Sequence, residues 1–235
     1  MTPNLIFEII AVILFFANLG IHLYGQAKGL ETVKRCTKAL ILGLLIVWYL
    51  VASEAPARAA AMPDSLAVAG LLFSLLGDVL LGDDGPAFFV GGTAFALAHL
   101  CYLFFYARGF SFAVLPVWAT AVGPAIALAA MLLAVLRLRK GCKGPIFAAV
   151  AFYMLINATT ACFAFWRLTA APSFATVIAL VGAVLFFISD AVLFGAMFVH
   201  GKSAKRDVAV MSTYGMAQFF ITWALILMGA AAGAA

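Results

Sequence analysis

Long apolar runs, repeated along the whole chain, constrain its fold more than any other feature. Inside a bilayer each backbone N–H and C=O must be hydrogen-bonded within the protein, so an apolar run of about 20 residues crosses the membrane as an α-helix. The breaks between the runs are short, and none is long enough for a soluble domain. The sequence therefore predicts an all-α bundle of eight transmembrane helices, forming one domain over residues 1–235. The predicted spans are residues 5–24, 39–53, 65–82, 87–106, 113–136, 145–166, 173–197 and 208–229.

The composition excludes several classes of protein. Of the 235 residues, 67% are hydrophobic and only 10% are charged, whereas soluble domains are about 45–50% apolar and about 25% charged. Too few polar side chains remain to cover a surface that faces water. The composition therefore excludes a water-soluble enzyme, a disordered tail and a nucleic-acid-binding protein, and no nucleic-acid partner is expected.

The basic residues predict the orientation of the bundle. Eleven Lys and Arg residues follow the odd-numbered spans and three follow the even-numbered ones. Because cytoplasmic loops are enriched in Lys and Arg, we expect the first set in the cytoplasm and both termini outside. The many Ala and Gly residues suggest a bacterial source, and hence the inner (cell) membrane. The first set is Lys28, Lys34, Arg35, Lys38, Arg137, Arg139, Lys140, Lys143, Lys202, Lys205 and Arg206, and the second is Arg58, Arg108 and Arg167.

Two acidic residues, Asp78 and Asp190, lie inside predicted spans. A carboxylate in the bilayer core costs about 2.5–3.5 kcal/mol on insertion scales, so acids at this depth mark functional sites by default. Neither has a Lys or Arg within a predicted span as a partner. The alternative is that each Asp is a hydrogen-bonded contact that holds helices together.

The surroundings of the two acids resemble each other, which suggests an internal duplication. Each Asp follows a small residue in an apolar run, in Gly77-Asp78 and Ser189-Asp190, and the two lie 112 residues apart. The next spans carry a second similarity, between residues 93–99 and 212–218. Four spans per half would make two parallel repeats related by an axis along the membrane normal. Chance similarity between short apolar strings remains the alternative.

Further polar residues lie at depths compatible with the two acids. His99 is as consistent with an interhelical hydrogen bond as with catalysis, and Asn157 and Gln218 are of a type that often joins helices. No Gly-x-Ser-x-Gly turn surrounds Ser189, so close helix packing is a better interpretation than a nucleophile. The cysteines lack metal-binding spacing and there is no phosphate loop, so no metal or cofactor is expected. The full set is Lys38, His99, Tyr153, Asn157, Ser189, Tyr214 and Gln218.

Two buried carboxyl groups indicate acid–base chemistry. Both cannot ionise cheaply in a dry site, so one is expected to keep its proton while the other is a carboxylate. Such a pair supplies a general acid and a general base or cation stabiliser. Acid-catalysed hydrolysis through an oxocarbenium-like state suits this arrangement.

The same residues carry a resemblance to a known family. The chain resembles the lysoplasmalogenase (YhhN-like) family of eight-span membrane proteins over nearly its whole length. Lys38 and Tyr153 also match that pattern, whereas Asn157 stands where the family commonly has methionine. The segments that carry the resemblance are Leu-Leu-Gly77-Asp78-Val-Leu-Leu, Ala94-Phe95-Ala-Leu-Ala98-His99-Leu-Cys-Tyr102, Phe187-Ile-Ser189-Asp190 and Thr213-Tyr214-Gly-Met-Ala217-Gln218.

The resemblance implies hydrolysis of the vinyl ether bond of lysoplasmalogens, which yields a fatty aldehyde and a glycerophospho-alcohol. It implies that Asp78 and Asp190 form the catalytic pair, without saying which is the acid, and that Tyr214 or His99 assists collapse of the hemiacetal. The expected partners are the lysophospholipid and membrane lipids, with no obligate protein partner. Lys38 would hold the phosphate, and the remaining substrate-binding candidates are Tyr153, Asn157, Ser189 and Gln218.

Two other functions remain open from the sequence. Acids at the axis between parallel halves would also serve a proton-coupled transporter or a lipid translocator. A hydrolase acting on a different lysolipid would use the same residues.

Overall fold

The structure, a computed structural model, is an all-α bundle over the residues that it describes, which are 3–53, 63–81, 85–108, 110–201 and 203–232. These ranges contain eight α-helices and no strand, which confirms the predicted fold class. A 3₁₀ turn, Phe112–Val114, precedes α5, and a π-helical turn, Ala196–His200, extends α7. The helices are α1 (Pro3–Lys28), α2 (Glu31–Ser53), α3 (Ser65–Leu80), α4 (Gly85–Ala107), α5 (Val117–Leu138), α6 (Gly144–Ala170), α7 (Phe174–Gly195) and α8 (Ala204–Ala232).

Seven helices in the described part of the chain are long and apolar enough to cross a membrane, which supports a multi-pass membrane protein. The exception is α3, with 16 residues, which at 1.5 Å per residue is about 24 Å long. Its first turn is held by Asp64, whose carboxylate accepts hydrogen bonds from Leu66 N at 2.8 Å and Ala67 N at 3.2 Å. Asp78 therefore lies near the end of the shortest helix, where polar groups from other helix ends can reach it.

The second helix begins eight residues before the predicted span, at Glu31. Lys34, Arg35 and Lys38, which precede the predicted second span, therefore lie in the first turns of α2 and not in a loop between helices. A polar segment next to an apolar run continues the helix at the membrane surface, where water can still reach its charged groups. In the orientation count, Arg58 and Lys202 lie outside the described residues, as do Asp83 and Asp84 in the break after α3.

Glycines allow two helix pairs to pack closely. A side chain at Gly70 of α3 would overlap the ring of Tyr102 of α4, and a Cβ at Gly182 of α7 would lie 2.8 Å from Ile221 Cγ1 of α8. Small residues at such positions let helix backbones approach in a bilayer. Helix α8 also packs on α1 and α2. Helix α8 thus contacts three other helices, and its Tyr214 reaches Asp78 near the end of α3.

Candidate active site

Asp78 is buried and hydrogen-bonded to a residue of α8. Its Oδ2 accepts a hydrogen bond from the Tyr214 hydroxyl at 2.9 Å. Lys38 of α2 lines the same cavity as this carboxyl group. It lies just before the predicted second span but within α2.

A chain of buried hydrogen bonds continues from Tyr214 across three helices. Gln218 Nε2 donates to the Tyr214 hydroxyl at 3.4 Å, and its Oε1 accepts from the Tyr102 hydroxyl at 3.4 Å. The Tyr102 hydroxyl lies 3.1 Å from Ser74 Oγ. The site candidates chosen from the sequence did not include Ser74 or Tyr102. The four-residue spacing from Ser74 to Asp78, which places both on one face of α3, is the signal that identifies Ser74.

Asp190 accepts two short hydrogen bonds on one oxygen. Its Oδ2 lies 2.6 Å from the Tyr153 hydroxyl and 2.7 Å from Asn157 Nδ2. The two donors are four residues apart on α6, so one face of that helix presents both to α7. Asp190 is only 6% exposed. The two hydrogen bonds replace part of the hydration that its carboxylate loses on burial.

His99 of α4 lies beside Asp190 without bonding to it directly. Its Nε2 is 4.0 Å from Asp190 Oδ2. The imidazole ring meets the ring of Phe186 edge-on, with centroids 4.4 Å apart. Within the described part of the chain, neither ring nitrogen has a hydrogen-bond partner. The structure thus places His99 in the Asp190 half of the site and Gln218 in the Asp78 half.

Ser189 makes a contact between helices. Its hydroxyl donates to the carbonyl oxygen of Val210 of α8 at 3.0 Å. This bond matches the packing interpretation of the sequence, although the residue also borders the cavity described next.

Both acids line a single inner cavity of about 90 Å³. This is room for several water molecules, because a cavity needs only about 10–15 Å³ to hold one. Phe95 and Phe194 form part of its apolar wall, and the polar groups are concentrated at the two carboxyls. Six of the nine sequence-predicted site residues line this cavity, and His99, Asn157 and Gln218 stand behind them. The six are Lys38, Asp78, Tyr153, Ser189, Asp190 and Tyr214.

A second, larger cavity of about 480 Å³ adjoins the first. The two share Lys38 and four apolar residues at the ends of α3, α7 and α8. The larger cavity is formed by the helix ends on the side predicted to be cytoplasmic, so we call it the mouth. Its charged and polar lining residues are His22, Gln26, Glu31, Lys34, Arg35, Lys38 and Asp207.

The mouth is basic on its α2 side. Lys34 pairs with Glu31 at 2.5 Å, while Arg35 and Lys38 face the same space. Among the described residues no group of three or more His, Cys, Asp or Glu side chains is arranged to hold a metal ion. The site therefore offers cations at an entrance and two buried carboxyl groups inside.

The sequence profile of the YhhN family matches residues 33–225 of the chain. The chain belongs to the YhhN family. The match spans most of α2 and the helices α3 to α7 entirely, includes every candidate site residue, and ends within α8. This confirms the family resemblance seen in the sequence motifs. No curated protein and no solved structure gives a significant match.

Proposed function

We propose that this YhhN-family protein is a membrane-embedded hydrolase that cleaves the vinyl ether bond of lysoplasmalogen-type lysophospholipids. The observation that carries the proposal is the shared cavity, because two buried carboxyl groups face one small apolar space. Vinyl ether hydrolysis needs a proton donor at carbon and a base for water within a few ångströms of each other. A dry, preorganised site strengthens both effects.

The size of the inner cavity matches the reacting atoms of such a substrate. A volume of about 90 Å³ has room for the C=C–O group together with a water molecule, because a cavity needs only about 10–15 Å³ to hold one water. It does not accommodate a long alkyl chain. The chain of a bound lysolipid would therefore leave the cavity between helices and lie in the bilayer, which is the favourable environment for it.

The mouth suits the phosphate of the same substrate. Arg35 and Lys38 lie at the helix ends, where a lipid phosphate is found in a membrane, and both carry the charge that binds it. Lys38 lines both cavities, so it connects the phosphate position with the carboxyl groups. The glycerol backbone would then lie across the boundary between the cavities.

The test uses the purified protein in detergent with three matched lysolipids that carry a vinyl ether, an alkyl ether or an acyl chain. Mass spectrometry of the products is expected to detect fatty aldehyde from the vinyl ether substrate alone. Asp78→Asn and Asp190→Asn should each lower aldehyde release by at least about 100-fold. Release of fatty acid from the acyl substrate would instead favour a hydrolase of another lysolipid. A folded variant that keeps the parent rate would contradict the aspartate pair.

A proton-coupled transporter or lipid translocator is the second candidate, because both acids lie between helices of the two halves of the chain. Reconstituted protein would then move a lysolipid or other solute across liposomes in a manner that depends on a pH gradient, without forming product. Aldehyde formation in the absence of a gradient would rule this candidate out.

A further inference from the structure

The environment of His99 indicates a bound polar ligand. The side chain is 1% exposed, yet within the described residues both imidazole nitrogens lack a hydrogen-bond partner. Leaving a buried polar group unpaired is costly, so a partner is expected at these nitrogens. Since Nε2 is 4.0 Å from Asp190 Oδ2, one small molecule placed between them reaches both atoms at ordinary hydrogen-bond lengths of about 2.8 Å.

A third polar atom near Asp190, the amide oxygen of Asn157, also lacks a hydrogen-bond partner among the described residues. Asn157 Nδ2 donates a hydrogen bond to Asp190 Oδ2. This contact fixes the orientation of the Asn157 amide, because with the amide reversed two oxygen acceptors would face each other with no hydrogen between them. The amide oxygen of Asn157 is buried, as are the two imidazole nitrogens of His99. Two side chains next to Asp190, just behind the lining of the cavity, therefore have unused hydrogen-bonding capacity.

The Asp78 side differs in this respect. The hydroxyls and the amide that lead away from Asp78 are hydrogen-bonded to one another from Tyr214 to Ser74. This chain orients the Asp78 carboxyl group. The hydroxyls on α4 and α8 that lack a partner among the described residues, those of Tyr106 and Thr222, lie one helical turn beyond Tyr102 and Gln218, away from Asp78. Unpaired hydrogen-bonding groups thus lie next to Asp190, whereas the groups next to Asp78 are bonded to one another. This difference distinguishes the two acids.

We infer that His99, Asn157 and Asp190 form the binding site of the hydrolytic water, so that Asp190 is the general base and Asp78 is the acid that protonates the substrate. This inference rests on the proposed vinyl ether hydrolysis and deepens it by dividing the roles. Tyr153 is then a positioning residue, because its hydrogen bond orients the Asp190 carboxylate.

The steps balance with these roles. The Asp78 carboxyl proton is transferred to the vinyl carbon distal to oxygen, and the π electron pair forms the new C–H bond. The water held at His99 attacks the oxocarbenium carbon and gives a proton to Asp190, which forms the hemiacetal. Asp190 then returns that proton to the glycerol oxygen as the C–O bond breaks, and the hemiacetal hydroxyl proton restores Asp78. The net change is vinyl ether plus water to aldehyde plus alcohol.

Lys38 fits this division when the substrate is bound. Lys38 lines both the inner cavity and the mouth, so its charge acts on Asp78 and on a phosphate bound in the mouth. A lipid phosphate in the mouth offsets the charge of Lys38, so Asp78 can hold its proton when the vinyl ether arrives. Binding of the substrate phosphate and protonation of Asp78 are thereby coupled through Lys38.

The experiment follows deuterium from D₂O into the unreacted vinyl ether substrate. When the base is missing, the oxocarbenium ion is not captured by water and returns a proton to Asp78. Asp190→Asn should therefore form aldehyde at least about 100-fold more slowly while the recovered substrate gains deuterium at the distal vinyl carbon. Asp78→Asn should show neither aldehyde nor exchange.

Variants of His99 provide a second test in which both carboxyl groups are kept. His99→Phe should slow aldehyde formation and also place deuterium in the recovered substrate, whereas His99→Gln, which keeps a polar group near Nε2, should restore product and reduce exchange. Circular dichroism and gel filtration in detergent check that each variant is folded. Incubation without protein measures the background exchange.

The outcomes separate the two proposals. An unmodified protein that releases no aldehyde overturns the proposed function, and the division of roles with it. An active unmodified protein whose Asp78 variant exchanges deuterium, or whose Asp190 and His99 variants do not, overturns the division of roles and leaves the hydrolase intact.

Discussion

At the scale of single residues, the site depends on hydroxyl groups as much as on carboxyl groups. Each acid is bonded to one tyrosine, Asp78 to Tyr214 and Asp190 to Tyr153. A tyrosine can donate to a carboxylate in a dry cavity without bringing a second charge, so it stabilises the acid at a lower desolvation cost than Lys or Arg would. The tyrosines therefore explain how two buried acids are held without a buried ion pair for each.

Tyr153→Phe should lower aldehyde release by about 10- to 100-fold with the fold retained. The variant removes a hydrogen bond to a charged group, worth about 1.5–3 kcal/mol, and each 1.4 kcal/mol corresponds to about tenfold in rate. The matched control is Tyr106→Phe, since the Tyr106 hydroxyl is also buried but makes no hydrogen bond to either carboxyl group among the described residues. Steady-state rates of the two variants test this, and an equal loss in both would point to a general packing defect.

Arg35→Gln should raise KM for a phosphate-bearing lysolipid by up to about fivefold and leave kcat unchanged. Exposed ion pairs contribute about 0.2–1 kcal/mol, and Arg35 is an exposed residue of the mouth. The effect should shrink at high salt because the interaction is screened. Lys140→Gln, at the end of α5 and away from the mouth lining, is the control. A fall in kcat with KM unchanged would place Arg35 in another role.

At the scale of the helices, close packing through glycine determines where the acids lie. Gly182 lets α7 approach α8, and the same pair of helices carries Ser189 bonded to the Val210 carbonyl. Because helices in a bilayer gain little from the hydrophobic effect between them, such contacts hold the pair together. The position of Asp190 relative to α8 follows from this packing.

Gly182→Ala should lower the thermal stability of the protein in detergent. The added Cβ would lie 2.8 Å from Ile221 Cγ1 and 3.0 Å from Ile221 N, and overpacking of this kind costs about 1–3 kcal/mol. Gly43→Ala is the control, since a Cβ there meets nothing within 4 Å and Ala is favoured over Gly in a helix by about 0.5–1 kcal/mol. Melting curves should move in opposite directions. A stabilised Gly182→Ala variant would contradict this packing.

At the scale of the whole molecule, the contacts add support to the proposed duplication. Gly70 and Gly182 lie 112 residues apart, as do the two acids. Their packing partners, Tyr102 and Ile221, lie 119 residues apart, which is the separation of the second pair of similar segments. Superposing the first four helices of an experimental structure on the last four should bring Asp78 onto Asp190 by rotation about the membrane normal. An axis in the membrane plane would contradict parallel repeats.

The orientation of the molecule can be tested through its cysteines. With Cys101, Cys142 and Cys162 replaced by Ala, the exposed Cys36 at the start of α2 should react with a membrane-impermeant maleimide only in inverted vesicles. A Ser111→Cys variant that also lacks Cys36 should react only in right-side-out vesicles. The reverse pattern would place the basic mouth outside the cytoplasm.

The all-α membrane fold, the eight helices and the two buried acids could be predicted from the sequence. Each of these predictions rests on a local property of the sequence. An apolar run of sufficient length must be helical in lipid, and a charged residue within it is conspicuous because placing its charge in the bilayer costs free energy. Helix ends were less predictable. The early start of α2 at Glu31 follows from a polar segment that hydropathy does not distinguish from a loop.

The partners of the acids were decided by tertiary structure. The bond between Tyr214 and Asp78 joins residues 136 positions apart, and nothing local links Tyr102 to Gln218. Which helix faces meet depends on the rotation and packing of every helix in the bundle, set by small residues such as Gly70 and Gly182. The sequence by itself determined that two carboxyl groups lie in the membrane. Tertiary structure decided that they share one cavity, because only packing brings residues so distant in the chain together.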